Sequence, residues 1–296
     1  MTTRYRQVVT SISDAGRRPS ARRNSSGLSR DVELLDVLAS PESQRAGGLR
    51  VLRIAELLDR DKAVVSRALA TLADAGIVDR DPKLLTYRLG PRLYALAART
   101  TEATLAHGAR PVLRQMVQAV RETTHLCVLR GGNVLTLLSE LSPQEVGTTG
   151  WAGTTTAAWR TPSGRVLISD WDRPSVDAWY AEHGRDAALV DPGEARWLRP
   201  FPVLAEPPAH KVVVRNLQSL HTELARIRAR GYAVLDEELE EGVVGASAPV
   251  WDATGSIIAA INVSAPRARM GGRLDDLGSY VARCATALSE SVGREP

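Results

Sequence analysis

The sequence lacks the features that mark secreted, membrane-bound or disulfide-rich proteins. Only two of its 296 residues are cysteines, and Cys127 and Cys284 both lie in apolar stretches. This usage predicts free buried thiols in a reducing compartment, and a disulfide between them is the less favoured alternative. No apolar run approaches the ~18 residues that a membrane-spanning helix needs, and no apolar segment follows the N-terminal charges as in a secretory signal. The sequence therefore predicts a cytoplasmic protein with no membrane partner.

Patterns of catalytic and metal-binding residues are also missing. No pair of the five histidines has the helical spacing that holds a metal ion together with a carboxylate. No nucleophile motif occurs, and Gly131-Gly132 is interpreted as a turn. The acidic run from Asp236 to Glu241 is interpreted as a solvated loop, because charge runs are usually solvated. We therefore predict that the protein is not an enzyme and that it uses no metal and no cofactor.

Positive charge is concentrated at the N-terminus. The net charge is +4, and the first 30 residues hold seven arginines against a single acid, Asp14. This stretch is rich in arginine, serine and threonine, so residues 1–28 are predicted to form a disordered basic tail. Two interpretations of the tail remain open. It adds nonspecific attraction to phosphate, or it is an extension with no such role.

Residues 53–88 carry the most informative pattern. Arg53 to Leu58 predicts a short helix, and a polar turn follows it at Asp59 to Asp61. Asp61 can cap the next helix, because its side-chain oxygen can accept a free backbone N–H. The next helix has an apolar stripe at positions i, i+3, i+4 and i+7, which would face a core. This stripe consists of Val65, Ala68, Leu69 and Leu72.

The opposite face of this helix is small and basic, with no acidic residue before Asp74. Gly76 is predicted to end the helix. Two strands, Ile77 to Arg80 and Leu85 to Leu89, are predicted to follow around a tight turn. A helix-turn-helix followed by such a hairpin is a winged helix, whose second helix enters the DNA major groove. An ordinary helical subdomain with a solvated face remains open on the local pattern alone.

The remainder of the chain predicts a second, α+β domain, in which antiparallel hairpins are flanked by long helices. We expect a winged helix-turn-helix over residues 29–90, a linker helix over 91–107 and a larger domain over 108–296. Within these bounds the first ordered helix is expected to begin at Ser29. Residues 40–48 and 184–210 are expected to be irregular, and Pro91 is expected to open a helix that runs to about Thr104.

Four blocks of the sequence, taken in order, resemble the IclR family of bacterial transcriptional regulators. They are DKAVVSRALATLADAGIVDRD, YRLGPRLYALA, TPSGRVLIS and IRARGYAVLDEELEEGVVGASAPVWDATGSIIAAINVSAP. The last block is the most specific in order and spacing. The resemblance covers roughly residues 29–292. It implies a winged helix, a linker helix and a GAF-like effector-binding domain with an antiparallel sheet, and it also implies dimers or tetramers and a small-molecule effector.

The resemblance also implies which residues contact DNA. In the second helix of the motif they are Lys62, Val64, Ser66 and Arg67. Arg67 is the strongest candidate for reading a base, because its fork of donors suits guanine O6 and N7. Arg53 and Lys83 are assigned to phosphates, which position a protein without specifying sequence. For Lys83, a plain solvated charge is an equally open interpretation.

The family's effector pocket lies where the loop and helix after residue 156 meet the last strands. The matching positions are Trp159, Thr161, Pro162, Ser163, Leu235, Gly245, Asn262 and Ser264. Members that bind small acids carry more polar residues at the positions of Trp159, Leu235 and Gly245. We therefore expect an effector that is aromatic or largely apolar and larger than a two- or three-carbon acid. Trp151 and Trp159 also remain open to a reading as plain core residues.

Taken together, the sequence predicts a ligand-responsive, DNA-binding transcriptional regulator of the IclR type. It is expected to bind a pseudo-palindromic operator on double-stranded DNA as a homodimer or homotetramer. The expected subunit contact is an apolar stripe of Leu93, Leu96 and Ala97, with Leu34, Leu35 and Leu38 nearby. The alternative is a GAF-like small-molecule sensor whose winged helix mediates protein contacts and does not bind DNA.

Overall fold

The computed structural model describes residues 27–148, 151–191 and 204–292. Contacts divide the chain into two compact units, and the boundary between them falls between Thr104 and Leu105. The predicted basic tail lies outside the described residues, except for Gly27 and Leu28, which belong to a helix. Among the described helices, none is both long enough and apolar enough to cross a membrane.

The first unit is a winged helix-turn-helix. In chain order its elements are α1 Gly27–Ala39, α2 Pro41–Ala46, β1 Leu49–Arg50, α3 Val51–Leu58, α4 Lys62–Asp74, β2 Val78–Arg80, β3 Thr86–Leu89 and α5 Pro91–Ala97. The three strands form an antiparallel sheet in the order β1-β3-β2. Leu34, Ile54 and Leu69 are fully buried where the helices pack together. The predicted motif is confirmed.

The local signals in this unit act as the sequence predicts. Asp61 caps α4, because its Oδ1 accepts the N–H groups of Ala63 and Val64 at 2.9 and 3.1 Å. Gly76 follows the helix end with a φ of +70°, a left-handed conformation that glycine adopts without strain. The chain can therefore turn directly from α4 into β2.

Three predictions for this unit are wrong. The first helix already includes Gly27, so Ser29 is not its start. The expected loop at residues 40–48 contains α2, which Ser40 caps by accepting the Ser43 N–H at 3.3 Å. Leu34 and Leu38 are 1% and 2% exposed within the core of the unit, so neither is available for a subunit contact.

The second unit is built on a seven-stranded antiparallel sheet in the order β7-β6-β5-β4-β10-β9-β8. Its strands are β4 Thr123–Arg130, β5 Asn133–Glu140, β6 Thr155–Thr156, β7 Leu189–Asp191, β8 Ala233–Asp236, β9 Val243–Trp251 and β10 Ile257–Pro266. Its helices are α6 Thr101–Val120, which begins just before the unit boundary, α7 Pro162–Leu167, α8 Arg173–His183, α9 Leu217–Arg230, α10 Arg267–Met270 and α11 Leu274–Val292.

Helices cover both faces of this sheet, and the alternation of side chains along each strand divides the core in two. Leu126 and Val128 of β4 and Ile261 and Val263 of β10 point to one face, where they pack with α6 and α11. Cys127 and Ala260 point to the other face, where they pack with α7, α8 and α9. Residues one position apart on a strand therefore belong to different cores.

The structure also corrects predicted element bounds from Pro91 onward. The helix that begins at Pro91 ends at Ala97, and a separate helix, α6, runs from Thr101 to Val120 with Pro111 in its interior. Burial of Leu105, Ala109, Leu113 and Met116 against the sheet outweighs the hydrogen bond lost at the proline. The expected irregular region at 184–210 contains β7, and residues 192–203 of it lie outside the described residues.

Candidate functional site

The first candidate surface is the outward face of α4. Lys62, Val64 and Arg67 are exposed there and Ser66 is half-buried, while Val65 and Leu69 anchor the opposite face in the core. Val64 keeps 44% of its surface in contact with solvent. The structure thus brings these four predicted DNA-contacting residues onto one solvent-facing side of a helix.

The charges on this surface are free to meet an anion. Within the described residues, no carboxylate lies at ion-pair distance from Lys62, Arg67 or Lys83. Arg53 differs, because its guanidinium pairs with Glu42 at 2.8 Å and Glu56 at 3.3 Å. The hydrogen bond from Arg53 lowers the pKa of Glu42. A phosphate at Arg53 would have to share or displace these carboxylates.

The wing carries Lys83 at its tip, between β2 and β3. Oδ1 of Asp81 accepts the N–H groups of Lys83 and Leu84 at 2.8 and 2.9 Å, which holds the turn closed. These backbone bonds, Leu84 first, lower the pKa of Asp81. The turn presents Lys83 to solvent together with the exposed Leu84 and Leu85.

The second candidate site is a cavity in the second unit, on the sheet face that α7 covers. It holds about 560 Å³ of space between atoms, part of which is open to solvent. Its wall is formed by strands β4, β5, β6, β8, β9 and β10, by α7, and by the segments that hold Trp151 and Leu239. None of the described residues that line it is a lysine, arginine, aspartate or glutamate. The cavity therefore offers neutral side chains to a ligand.

Seven of the eight predicted effector-binding residues line this cavity. They are Thr161, Pro162, Ser163, Leu235, Gly245, Asn262 and Ser264. Trp159 does not line it and packs in the core beside α8, with its ring 6.4 Å from that of Tyr180. Trp151, the other tryptophan near this loop, is half-buried and does line the cavity.

Short polar side chains form a hydrogen-bonded row along the cavity wall. The Ser163 hydroxyl oxygen accepts from Asn262 Nδ2 at 3.2 Å and from the Ser247 hydroxyl at 3.3 Å. Ser264 donates to Asn262 Oδ1 at 3.0 Å. At Gly245, a Cβ would lie 2.9 Å from the backbone carbonyl oxygen of Val263, so a larger residue at this position would require the strand backbone to shift.

His125 and Cys127 face the same cavity from β4. Burial lowers the pKa of His125 to about 4, so the ring is neutral at pH 7. Its Nδ1 lies 2.9 Å from the Ser139 hydroxyl, and its Nε2 is buried without a partner among the described residues. Burial raises the pKa of Cys127 to about 11, so its thiol is also uncharged. Cys284, in contrast with the prediction, is only half-buried.

A buried ion pair joins α7 to the segment between β8 and β9, and both of these elements contribute residues to the cavity wall. Arg165 of α7 is 1% exposed and Glu238 is 7% exposed, and their guanidinium and carboxylate meet at 2.7 and 3.2 Å. Arg165 also donates to the Trp159 carbonyl, and Glu238 accepts the Val213 N–H. The interpretation of the acidic run as a solvated loop is therefore wrong at Glu238. Leu239, the next residue, lines the cavity.

Sequence reasoning missed the part of the cavity that the central strands supply. His125 and Cys127 are two residues apart on β4, and β10 aligns Asn262 with His125. The alternation of side chains on β4 is a signal that these two residues share a face. Only the strand register reveals that this face is also that of Asn262 and Ser264.

Comparisons with known proteins agree with the division of the chain into two units. Residues 27–82 match the model of the IclR helix-turn-helix domain, and residues 210–290 match that of the bacterial transcriptional regulator IclR C-terminal domain. The HTH-type transcriptional regulator BhcR of Paracoccus denitrificans is 29% identical over 269 residues, which are 88% of this chain and 85% of that protein.

Two solved structures share the fold. Thermotoga maritima IclR has a TM-score of 0.66 at 21% identity, over 90% of this chain and 98% of that one. An IclR homologue from Microbacterium hydrocarbonoxydans, complexed with 4-hydroxybenzoate, has a TM-score of 0.66 at 20% identity, over 90% and 99%.

Proposed function

Because the chain belongs to the IclR family of bacterial transcriptional regulators, we propose a specific division of labour between its two units. The exposed face of α4 reads a pseudo-palindromic operator, and the neutral cavity of the second unit binds an effector that is aromatic or largely apolar. The protein acts in the cytoplasm, where double-stranded DNA and effector are both present, and it performs no catalysis.

The observation that carries the DNA-binding assignment is the exposed, basic and acid-free side of α4. Lys62 and Arg67 have no carboxylate partner within the described chain, so neither must give up an ion pair to reach DNA. The guanidinium of Arg67 is suited to guanine, and the exposed methyl groups of Val64 are suited to the methyl group of thymine. Lys83 on the wing and Arg53 at α3 contact phosphates, and at Arg53 the phosphate shares the guanidinium with Glu42 and Glu56 or displaces them.

The proposed assembly is a homodimer, which can pair further into a homotetramer. A pseudo-palindromic operator needs a two-fold symmetric protein. Helix α5 supplies the remaining apolar candidates for the contact, because Tyr94 is 80% exposed and Leu96 is 51% exposed. Light scattering that finds a monomer at micromolar concentration would contradict this assembly.

The proposed effector site consists of the seven predicted residues that line the cavity, with Trp151 in addition. Ligand sites are mostly apolar, with a few placed polar groups, and Ser163, Asn262 and Ser264 supply such groups here. The homologue that was solved with 4-hydroxybenzoate makes this aromatic compound the first ligand to test. Trp159 contributes to the site only indirectly, by packing beside it.

A gel-shift assay with the DNA upstream of the gene tests the proposed function. Specific retardation that competitor DNA does not abolish supports it, and 4-hydroxybenzoate should change the retarded fraction. The alternative function, a GAF-like sensor whose winged helix contacts proteins, would be supported if no sequence is retarded specifically while the cavity still binds ligand.

A further inference from the structure

One polar atom in the cavity wall has no hydrogen-bond partner among the described residues. Among the residues that the structure describes, His125 is the only cavity-lining residue with a buried side-chain nitrogen or oxygen that has no hydrogen-bond partner. The atom is Nε2, on a side chain that is 4% exposed. A buried polar group without a partner costs about 1–3 kcal/mol, so its presence in a ligand cavity points to a partner that arrives with the ligand.

The hydrogen bonds around His125 determine which kind of partner this is. The Ser139 hydroxyl oxygen accepts the backbone N–H of Trp151 at 3.0 Å and lies 2.9 Å from His125 Nδ1. Among the described residues, Nδ1 is the only acceptor within hydrogen-bond distance of the Ser139 hydroxyl, so we assign the hydroxyl proton to a bond with Nδ1, which then carries no proton. A neutral imidazole has one N–H, so the proton sits on Nε2 and makes it a donor.

The ring stays in this neutral form. Within the described part of the chain, no lysine, arginine, aspartate or glutamate lines the cavity, and the lining residues nearest along the strands, Cys127, Asn262 and Ser264, are uncharged. Burial favours the uncharged imidazole, as the lowered pKa of His125 indicates. The donor is therefore directional and carries no net charge.

We propose that His125 Nε2–H is the group that orients the effector, by donating a hydrogen bond to an acceptor oxygen on a largely apolar molecule. Ser139 is the positioning residue, because its hydroxyl holds the imidazole in the tautomer that donates. The inference rests on the proposed function, which assigns the cavity to an effector. Carboxylates and neutral carbonyl groups share the required acceptor chemistry, and the test separates them.

The first measurement is made on the ligand-free protein and needs no effector. Nitrogen-15 NMR of the imidazole rings distinguishes the two neutral tautomers, and the His125→Gln variant identifies the His125 signals. We expect the proton on Nε2. A proton on Nδ1 would overturn the inference, because Nε2 would then be an acceptor. In Ser139→Ala the ring should lose its single tautomer, whereas a purely structural role of Ser139 would leave the tautomer unchanged.

The second measurement compares small aromatic ligands that carry different acceptors or none. Titration calorimetry with 4-hydroxybenzoate, benzoate, benzamide and toluene tests a carboxylate, a neutral carbonyl and a molecule without an acceptor oxygen. His125→Phe should weaken the probes that bear an acceptor by roughly 10- to 100-fold, the cost of one such hydrogen bond, and should spare toluene. His125→Gln, which keeps an N–H near Nε2, should recover part of the loss.

The matched control is His221→Gln, because His221 pairs with Asp177 and does not line the cavity. It should leave the affinity for all four probes unchanged. Equal losses for toluene and benzoate in His125→Phe would overturn the inference, and so would failure of the wild-type protein to bind any probe. The regulator function fails by a separate result, the absence of specific DNA binding, so the two failures are distinguishable.

Discussion

The buried ion pair between Arg165 and Glu238 allows the sharpest prediction about stability. Replacing Arg165 with methionine keeps most of the side-chain volume but leaves the Glu238 carboxylate buried without its cation. Breaking a buried pair by removing one partner costs about 3–5 kcal/mol. Both side chains of this pair are almost fully enclosed, at 1% and 7% exposure, so solvent cannot replace the lost partner.

For a unit of this size, each kcal/mol shifts the melting temperature by about 2–4 °C, so we expect a decrease of about 6–20 °C. Differential scanning calorimetry with and without 4-hydroxybenzoate measures the decrease. Ligand affinity should also fall, because Leu239, the residue that follows Glu238, lines the cavity. The double variant Arg165→Met, Glu238→Leu should recover much of the loss, since it leaves no buried charge unpaired.

The control is Arg273→Met, because Arg273 and its partner Asp276 have 70% and 77% of their side-chain surfaces exposed. Exposed pairs contribute about 0–1 kcal/mol, so this variant should melt within a few degrees of the wild type. If Arg165→Met melts no lower than Arg273→Met, or if the double variant is less stable than either single variant, the reasoning about the buried pair is refuted.

Three further predictions follow from the two candidate sites. Arg67→Ala should cost about 1–3 kcal/mol on the specific operator, whereas Lys83→Ala should weaken all sequences evenly and flatten the salt dependence; equal effects in a fluorescence-anisotropy titration would contradict this. The pKa of His125 in the folded protein is about 4, below its ordinary value. The contribution of neutral His125 to the free energy of unfolding should therefore be fully present above pH ~6.5 and should fall by about 3 kcal/mol as the pH drops towards 4. Thermal melts at each pH should show that His125→Gln lacks this pH-dependent loss. Cys284 should react with a thiol reagent in the native protein, and Cys127, buried and with a pKa of about 11, only after unfolding; equal native rates would show that the cavity opens.

The elements of the winged helix could be predicted from the sequence, because the interactions that specify each of them are local. Asp61 caps a helix whose first free N–H groups are two and three residues away. The apolar stripe of α4 repeats with the helical period, and Gly76 ends the helix by its own conformational freedom. The same reasoning missed α2, whose six residues carry no apolar stripe, although Ser40 caps it, Pro41 opens it and Gly47 follows its end in a left-handed conformation.

The site in the second unit was predicted only in part. Resemblance identified seven cavity residues, and five of them lie within two stretches, 161–163 and 262–264. It did not identify His125 or Cys127, because their place in the cavity depends on the register between β4 and β10, strands that are more than 120 residues apart in the chain. It misplaced Trp159, whose direction is decided by packing against α8.

The burial of charged side chains also depended on the tertiary structure. The acidic run at 236–241 has a local composition typical of solvated loops, and only the tertiary structure brings Glu238 to Arg165, 73 residues away. Likewise α6 continues through Pro111, since four apolar side chains find partners on the sheet. Periodicity, caps and turns operate within a few residues and can be derived from the sequence. Burial and hydrogen-bond partners depend on which distant segments meet, and these decided the cavity, the state of His125 and the buried ion pair.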